Sequence, residues 1–222
     1  MEDIWDIMRQ RHSVRQYDNR AVEPEKAALI NAEIERINAE SGLRFALFVD
    51  EPEAFKADKP SYGSFSGCRN YVVLAGKKGD DEKIGYFGER LVLFAQSIGL
   101  NTCWVAMTFE KSKVQPSLGA GEVLFDVLAL GYGLNEGRPH RSKPADKVAE
   151  INGSTPEWFK KGVEAALLAP TAINQQRFFI KITKDGRVAA KALLGPYSKT
   201  DLGIVKYHFE LGAGRGNFEW AE

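Results

Sequence analysis

The sequence predicts a mixed helix-and-strand fold in two related halves, and three features of its 222 residues point there. Helix-period segments alternate with short apolar strands along the chain. A helix-then-strand unit recurs, as PEKAALINAEIERINAESGLRFALFV over 24–49 and PEWFKKGVEAALLAPTAINQQRFFIKI over 156–182. Each copy opens on Pro-Glu and enters its strand through an Arg-Phe pair, Arg44–Phe45 and Arg177–Phe178. Helix followed by strand is a common unit, so chance similarity is the other reading of this repeat. Third, a 44% hydrophobic composition supplies a sizeable core for one domain or for two small halves.

Residues 2–10 form a short amphipathic helix with Ile4, Trp5 and Met8 on one side. Pro24 starts a second helix and Gly42 ends it, because proline fits the first helical position and glycine the left-handed exit. A strand follows over 43–49, and 50–68, rich in Pro, Gly and Ser, reads as loop before the apolar strand 70–76. Over 82–98, Ile84, Phe87, Leu91, Phe94 and Ala95 share a helical face, and Gly99 ends that helix. A strand at 101–107, a short helical piece, the Gly-rich SLGAGE and a strand at 123–132 come next. The polar segment GLNEGRPHRSKPADKV reads as a loop over a charged ligand, and a last strand is expected at 177–183. Gly212–Gly216 reads as a flexible end, with the final residues either a pocket cover or a loose tail.

Lys plus Arg and Asp plus Glu both number 30, so bulk charge gives no reason to expect nucleic acid or an anionic membrane as partner. No apolar run approaches the roughly 20 residues of a membrane span, and no secretory signal pattern is present, so a cytoplasmic protein is expected. Cys68 and Cys103 sit beside strand-like sequence and read as reduced, buried thiols. His12, His140 and His208 lack metal-ligand spacing and read as ordinary loop or helix-surface residues.

Three groups carry possible chemistry. Arg11, His12, Ser13 and Arg15 lie within five residues at a helix end and can grip an anion with guanidinium forks and a hydroxyl. Arg138, Arg141 and Lys143 form a second basic group. Each is equally readable as a solvated charged turn. The loop Ala169-Pro170-Thr171-Ala172-Ile173-Asn174-Gln175-Gln176 gathers a hydroxyl and three carboxamides, donors and acceptors suited to a heteroaromatic edge, or to ordinary turn chemistry.

Taken in chain order, these residues resemble the FMN-dependent nitroreductase family. That family opens with a basic Arg-x-Ser-x-Arg/Lys turn, here Arg11-His12-Ser13-Val14-Arg15 with Tyr17 beyond it. Its Ala-Pro-Ser-x-x-Asn-x-Gln-Pro-Trp loop is similar to Ala169–Phe178, its Gly-Leu-Gly-x-x-Trp segment to Gly99–Trp104, and its late Gly-Tyr and basic loop to Gly131-Tyr132 and Arg138–Lys143. One departure is informative. The Pro-Ser-x-x-Asn loop ordinarily follows the basic turn by a few tens of residues, whereas here that position reads Ala39-Glu40-Ser41-Gly42. In the dimeric family the two motifs reach one flavin from different subunits, so the order here resembles a fused pseudo-dimer.

The resemblance implies an α+β fold, a mostly antiparallel sheet covered by helices, with an internal pseudo-duplication. It implies a first half over residues 1–150 bearing the phosphate turn and a divergent second half over 151–222 supplying the partner loop. It implies FMN held by Arg11, His12, Ser13 and Arg15 at the phosphate and ribityl chain, with Arg138, Arg141 and Lys143 nearby. Trp104, Val105 and Ala106 would face the ring near N5, Pro170, Thr171 and Asn174 would form the partner loop, and Ser61, Tyr62, Gly63 and Ser64 would make loosely aligned ring contacts. NADH or NADPH would be the transient reductant, and a nitroaromatic or quinone the acceptor. No side chain is nominated as acid, base or nucleophile. A monomeric pseudo-dimer is expected, with a homodimer as the other state. The rival class is a flavin-binding or sensory module without turnover.

Overall fold

Pro24 and Gly42 bracket the first long helix of a computed structural model that describes residues 3–55, 64–114 and 118–221. This helix, α2 (Pro24–Ser41), has Pro24 in its first turn, and Gly42 leaves it at φ 71, where a side chain would strain the backbone. A shorter helix, α1 (Ile4–Gln10), precedes it. Expected strands and helices fall where their patterns place them: β1 (Arg44–Phe48), β2 (Asn70–Lys77), α3 (Asp81–Ser97), β3 (Asn101–Val105), β4 (Glu122–Gly131), α4 (Glu157–Ala166) and β5 (Phe178–Ile182). Two further elements complete the chain, β6 (Val188–Ala192) and α5 (Ser198–Ala213).

The chain divides into two units, one of Gln10–Asp80 and Arg90–Pro139, the other of Met1–Arg9, Asp81–Glu89 and His140–Glu222. The first unit holds an antiparallel sheet in the order β1-β2-β4-β3. Central β2 is buried at every position but its last, which is why the run after Asn70, YVVLAG, is continuously apolar rather than alternating. Tyr71, Val73, Ala75, Cys103, Val105, Val127 and Ala129 form one side of its core. On the edge strand β1, Asn38 holds both backbone groups of Phe45, with Phe45 N–H donating to Oδ1 at 2.8 Å and Nδ2 donating to the carbonyl at 3.0 Å. That pairing occupies hydrogen-bonding groups that an edge would otherwise offer to another strand. Arg90 joins α3 to α2, with Nε 2.7 Å from Glu33 and Nη1 2.6 Å from Glu40.

In the other unit, α4 and α5 pack closely beside the β5–β6 hairpin. Glycines permit the closest helix crossings. A Cβ on Gly203 of α5 would lie 1.9 Å from the Glu82 carbonyl of α3, and one on Gly85 of α3 would lie 1.9 Å from the Thr200 carbonyl. Phe159 and Phe209 meet edge-on at 5.5 Å and extend through Phe218 to Trp220. Helix-then-strand order thus occurs in both units, as α2–β1 and α4–β5.

Three expectations need correction. The C-terminal segment is not loose: Gly214 caps α5, residues 215–217 make a 3₁₀ turn, and Ala221 N–H donates to the Val188 carbonyl at 2.7 Å. Trp220 fixes this end by donating from Nε1 to Glu210 at 2.8 Å. His208 is not a surface residue; it is wholly buried with its imidazole against Glu89, also wholly buried. Among the described residues between β3 and β4 there is a turn at 111–113 and no helical piece. The two cysteines are free and buried, as expected.

Candidate functional site

The basic turn is held along the outer strand of the first unit's sheet. Val14 N–H donates to the Thr102 carbonyl of β3 at 3.0 Å, and Ser13 and Thr102 form an isolated parallel bridge. Next along the chain, Ser66 N–H donates to the Arg15 carbonyl at 3.0 Å and Tyr17 N–H to the Ser66 carbonyl at 2.8 Å. Val14 and Tyr17 point into the core and Tyr17 donates its hydroxyl to the Val14 carbonyl at 2.9 Å, while Arg15 is exposed. Burial of Val14 and Tyr17 leaves Arg15 and Gln16 on the side open to a ligand.

Gly137, at φ 71, closes against this turn. An added Cβ there would lie 2.7 Å from the His12 Cβ and 3.0 Å from the Ser13 carbonyl oxygen. His12 Nδ1 lies 3.0 Å from the Glu136 carbonyl, so its ring is engaged with this loop. Behind the turn, burial pushes the Cys103 thiol up, while Arg15, a hydrogen bond from Ser13, and Arg11 pull it back. Arg11, Ser13 and Arg15 thus act on one position of β3. Arg11 is only 4% exposed. Among the described residues no carboxylate pairs with Arg15, nor with Arg138, which lies exposed in the same unit. Two guanidiniums and a hydroxyl around one strand position form a donor set suited to phosphate oxygens.

Trp104 and Val105 continue β3, the last strand of the sheet, with Trp104 half-buried and Val105 packed into the core; Ala106 follows, half-buried. Ser64 is exposed, and Ser61, Tyr62 and Gly63 lie outside the described residues.

Arg141 and Lys143 of the second basic group meet the Pro-Thr-x-x-Asn loop in the other unit. Lys143 Nζ donates to the carbonyls of Gln175 at 2.8 Å and Gln176 at 3.0 Å, and its backbone N–H donates to Gln176 Oε1 at 2.8 Å. Asn174 Nδ2 and Gln176 Nε2 each donate to the Arg141 carbonyl at 2.9 Å, and Gln176 Nε2 also reaches Asn174 Oδ1 at 2.8 Å. Gln176 N–H donates to Thr171 Oγ1 at 3.0 Å. The amides of Asn174 and Gln176 are thus engaged in holding residues 141–143, leaving the exposed Arg141 guanidinium with no carboxylate partner among the described residues. Pro170 and Thr171 are half-buried at the loop entrance.

This loop is strained and anchored. Ile173, Asn174 and Gln176 have φ of 48, 54 and 45, a region L residues rarely occupy, and least often a β-branched one. Asp201, in the first turn of α5, accepts from Ala172 N–H at 2.9 Å and from Gln175 Nε2 at 2.7 Å. Burial raises the Asp201 carboxyl to about 6, against the lowering effect of those two hydrogen bonds. Sequence reasoning missed Asp201 and left Gln175 and Gln176 open between a heteroaromatic edge and ordinary turn chemistry. A lone acid in an amphipathic helix carries no signal of its own, whereas two consecutive glutamines between a helix and a strand were a visible one.

A family model described as "Putative TM nitroreductase" matches residues 3–213. A "putative nitroreductase" from Thermotoga maritima superposes with a TM-score of 0.69 at 24% identity, covering 98% of this chain and 87% of that one. An FMN-dependent nitroreductase from Clostridium difficile superposes with a TM-score of 0.51 at 16% identity over 66% of this chain and 98% of its own. Another nitroreductase family protein from the same species gives 0.51 at 17% identity, over 70% of this chain and 100% of that one. No curated protein matches the sequence. Those superpositions carry the fold, a nitroreductase-like α+β architecture, and with nearly the whole chain matched by the family model, the protein belongs to this nitroreductase family.

Proposed function

We propose that the protein is an FMN-dependent NAD(P)H oxidoreductase that reduces nitroaromatic or quinone-like acceptors. The observation that carries this reading, beside family membership, is the gathering of Arg11, Ser13 and Arg15 around the Thr102–Cys103 edge of β3. Their chemistry fits the terminal phosphate of FMN, with His12 holding the turn to the Glu136 loop. In this reading the backbone of Trp104, Val105 and Ala106 faces the isoalloxazine ring, while Arg138, Arg141 and Lys143 add positive charge toward the phosphate. Pro170, Thr171 and Asn174 match the loop that a second subunit contributes in the dimeric family.

Bound FMN would supply hydride acceptance from NADH or NADPH and hydride donation to the acceptor. The chain's own residues bind, orient and exclude water; none is required to move a proton. The partners are small molecules, and among the described residues no helix is long and apolar enough to cross a membrane.

The test is an absorbance spectrum after mixing with FMN and gel filtration, repeated on Arg11→Ala and Asn174→Ala. One flavin per chain, weakened by both changes, supports flavin contacts at both positions, and NAD(P)H oxidation then separates an enzyme from a flavin-binding module without turnover. A parent protein that retains no flavin would overturn the proposal.

A further inference from the structure

Asp201 is 3% exposed, yet both hydrogen bonds given to its carboxylate come from one short loop, from Ala172 N–H and Gln175 Nε2. Gln175 Nε2 also donates to the Pro196 carbonyl at 2.7 Å, tying the loop to the Gly195-Pro196-Tyr197 entry of α5. Its other end is unusual: Gln175 Oε1 is buried without a hydrogen-bond partner among the described residues. It lies over Gly195, where an added Cβ would sit 2.5 Å from Oε1, so only glycine leaves the amide room. A buried acceptor left unfilled is costly, and functional sites are where such costs are retained.

We propose that Asp201 and Gln175 form a proton-controlled latch that positions the 171–176 loop and, through it, Lys143 and Arg141. With Asp201 ionised, only the Nε2 end of Gln175 can face it, and that orientation ties the loop to Pro196. With Asp201 protonated, its hydroxyl needs an acceptor, and the unfilled Oε1 provides one when the amide turns over. Turning the amide removes the donor to Pro196 and releases one anchor from a loop whose Ile173, Asn174 and Gln176 already sit at strained positive φ. Because Lys143 Nζ is held by the Gln175 and Gln176 carbonyls, a shift of the loop moves that ammonium. The raising of the Asp201 carboxyl to about 6 by burial places the switch in mildly acidic solution.

Charged and titratable groups nearby are Lys199, Lys206, Tyr207, His208 and Glu210 on α5, Asp81, Glu82, Lys83, Tyr86 and Glu89 in the first half of α3, Arg177 before β5, and His140, Arg141 and Lys143 on the segment the loop holds. Among the described residues none forms an ion pair with Asp201. Glu82 is paired with Lys206, and Glu89 with His208. His140 sits beside Arg141 in the chain, its Nε2 2.9 Å from the Leu167 carbonyl.

The proposal is tested by ¹⁵N NMR between pH 5 and 7.5 on wild type, Asp201→Asn and His140→Gln, followed by FMN affinity over the same range. The Ala172 amide and the Gln175 side-chain amide should shift together around pH 6, keep that transition in His140→Gln, and lose it in Asp201→Asn. No common shift in the wild type, or one that vanishes with His140, overturns the latch even if Asp201→Asn fails to fold. The consequence for cofactor rests on the proposed flavin site: FMN binding should weaken on the order of fivefold toward low pH in the wild type. Amides that titrate while FMN affinity does not would leave the latch standing and remove this loop from the flavin site.

Discussion

His208 Nε2 lies 2.9 Å from Glu89 Oε1, and neither side chain has any exposed surface. The other ring nitrogen, Nδ1, lies 3.2 Å from the Ala165 carbonyl, an acceptor only, so Nδ1 carries a proton. One further proton must then lie between Nε2 and the carboxyl, whether the pair is written as ionic or as neutral. This arrangement links α3, α4 and α5 at their common centre. Removing one partner leaves the other buried and unsatisfied, so Glu89→Ala should destabilise the protein by about 3–5 kcal/mol in chemical unfolding. The paired apolar replacement, His208→Phe with Glu89→Leu, should cost much less than the single change. Equal losses in both would show that packing, not the shared proton, matters here.

Asp201 predicts a pH dependence of opposite sign to the usual carboxylate. Its carboxyl is raised from 3.8 to about 6, so the folded protein takes up a proton before the unfolded chain does. Its stabilising contribution is complete below 3.8 and is lost as pH rises through about 6. Relative to Asp201→Asn, wild type should therefore gain roughly 2–3 kcal/mol between pH 7 and pH 4. Urea midpoints at the two pH values give the difference, and a constant gap would contradict it.

Gly203→Ala should be among the most damaging single-methyl additions, because its Cβ would lie 1.9 Å from the Glu82 carbonyl oxygen and 2.6 Å from the Tyr86 nitrogen. Backbone cannot rotate away as a side chain can, so α5 would have to move off α3. Thermal denaturation should show a loss of several kcal/mol, on the scale of overpacked cores or beyond. Gly216→Ala, with open space around its Cβ, is the matching control.

The cysteines should be inert in the native state. Burial pushes the Cys68 thiol up to about 12, and Cys103 is raised for the same reason. Thiolate is the reactive species, so a disulfide reagent at pH 8 should label neither residue until denaturant is added. Rapid labelling of Cys103 in native protein would show that the strand behind the basic turn opens to solvent.

How much of this was legible in the sequence depended on which force set each feature. Pro24, Gly42 and Gly99 punctuate helices by backbone conformation alone, so α2 and α3 were readable locally. The run from Asn70 to Gly76 revealed a central strand because burial on both faces demands continuous apolar residues. By contrast β6, Val-Ala-Ala-Lys-Ala, lacks the aromatic and branched content of a strand; it exists because β5 on one side and Trp220 on the other supply its partners. His208 was misread for the same kind of reason, since its partner is 119 residues away. The basic turn was visible as a cluster of donors, but its attachment to Thr102 was not, being a pairing across nearly ninety positions of chain. Lys143 and Asn174 were both noticed, while their mutual locking through Gln175, Gln176 and Arg141 could come only from the fold.

The way the units are cut from the chain has a bearing on how the protein is made. Every residue of the sheet-bearing unit has been synthesised by Pro139, whereas the other unit waits for α5 and for the C-terminal pairing on β6. During translation the segment Asp81–Glu89 is therefore present long before its packing partners, with Gly85 and Glu89 facing surfaces that do not yet exist. A ribosome pausing between about residue 140 and residue 200 would hold a chain in which all of α3 is made while the helix that packs on its first half is not.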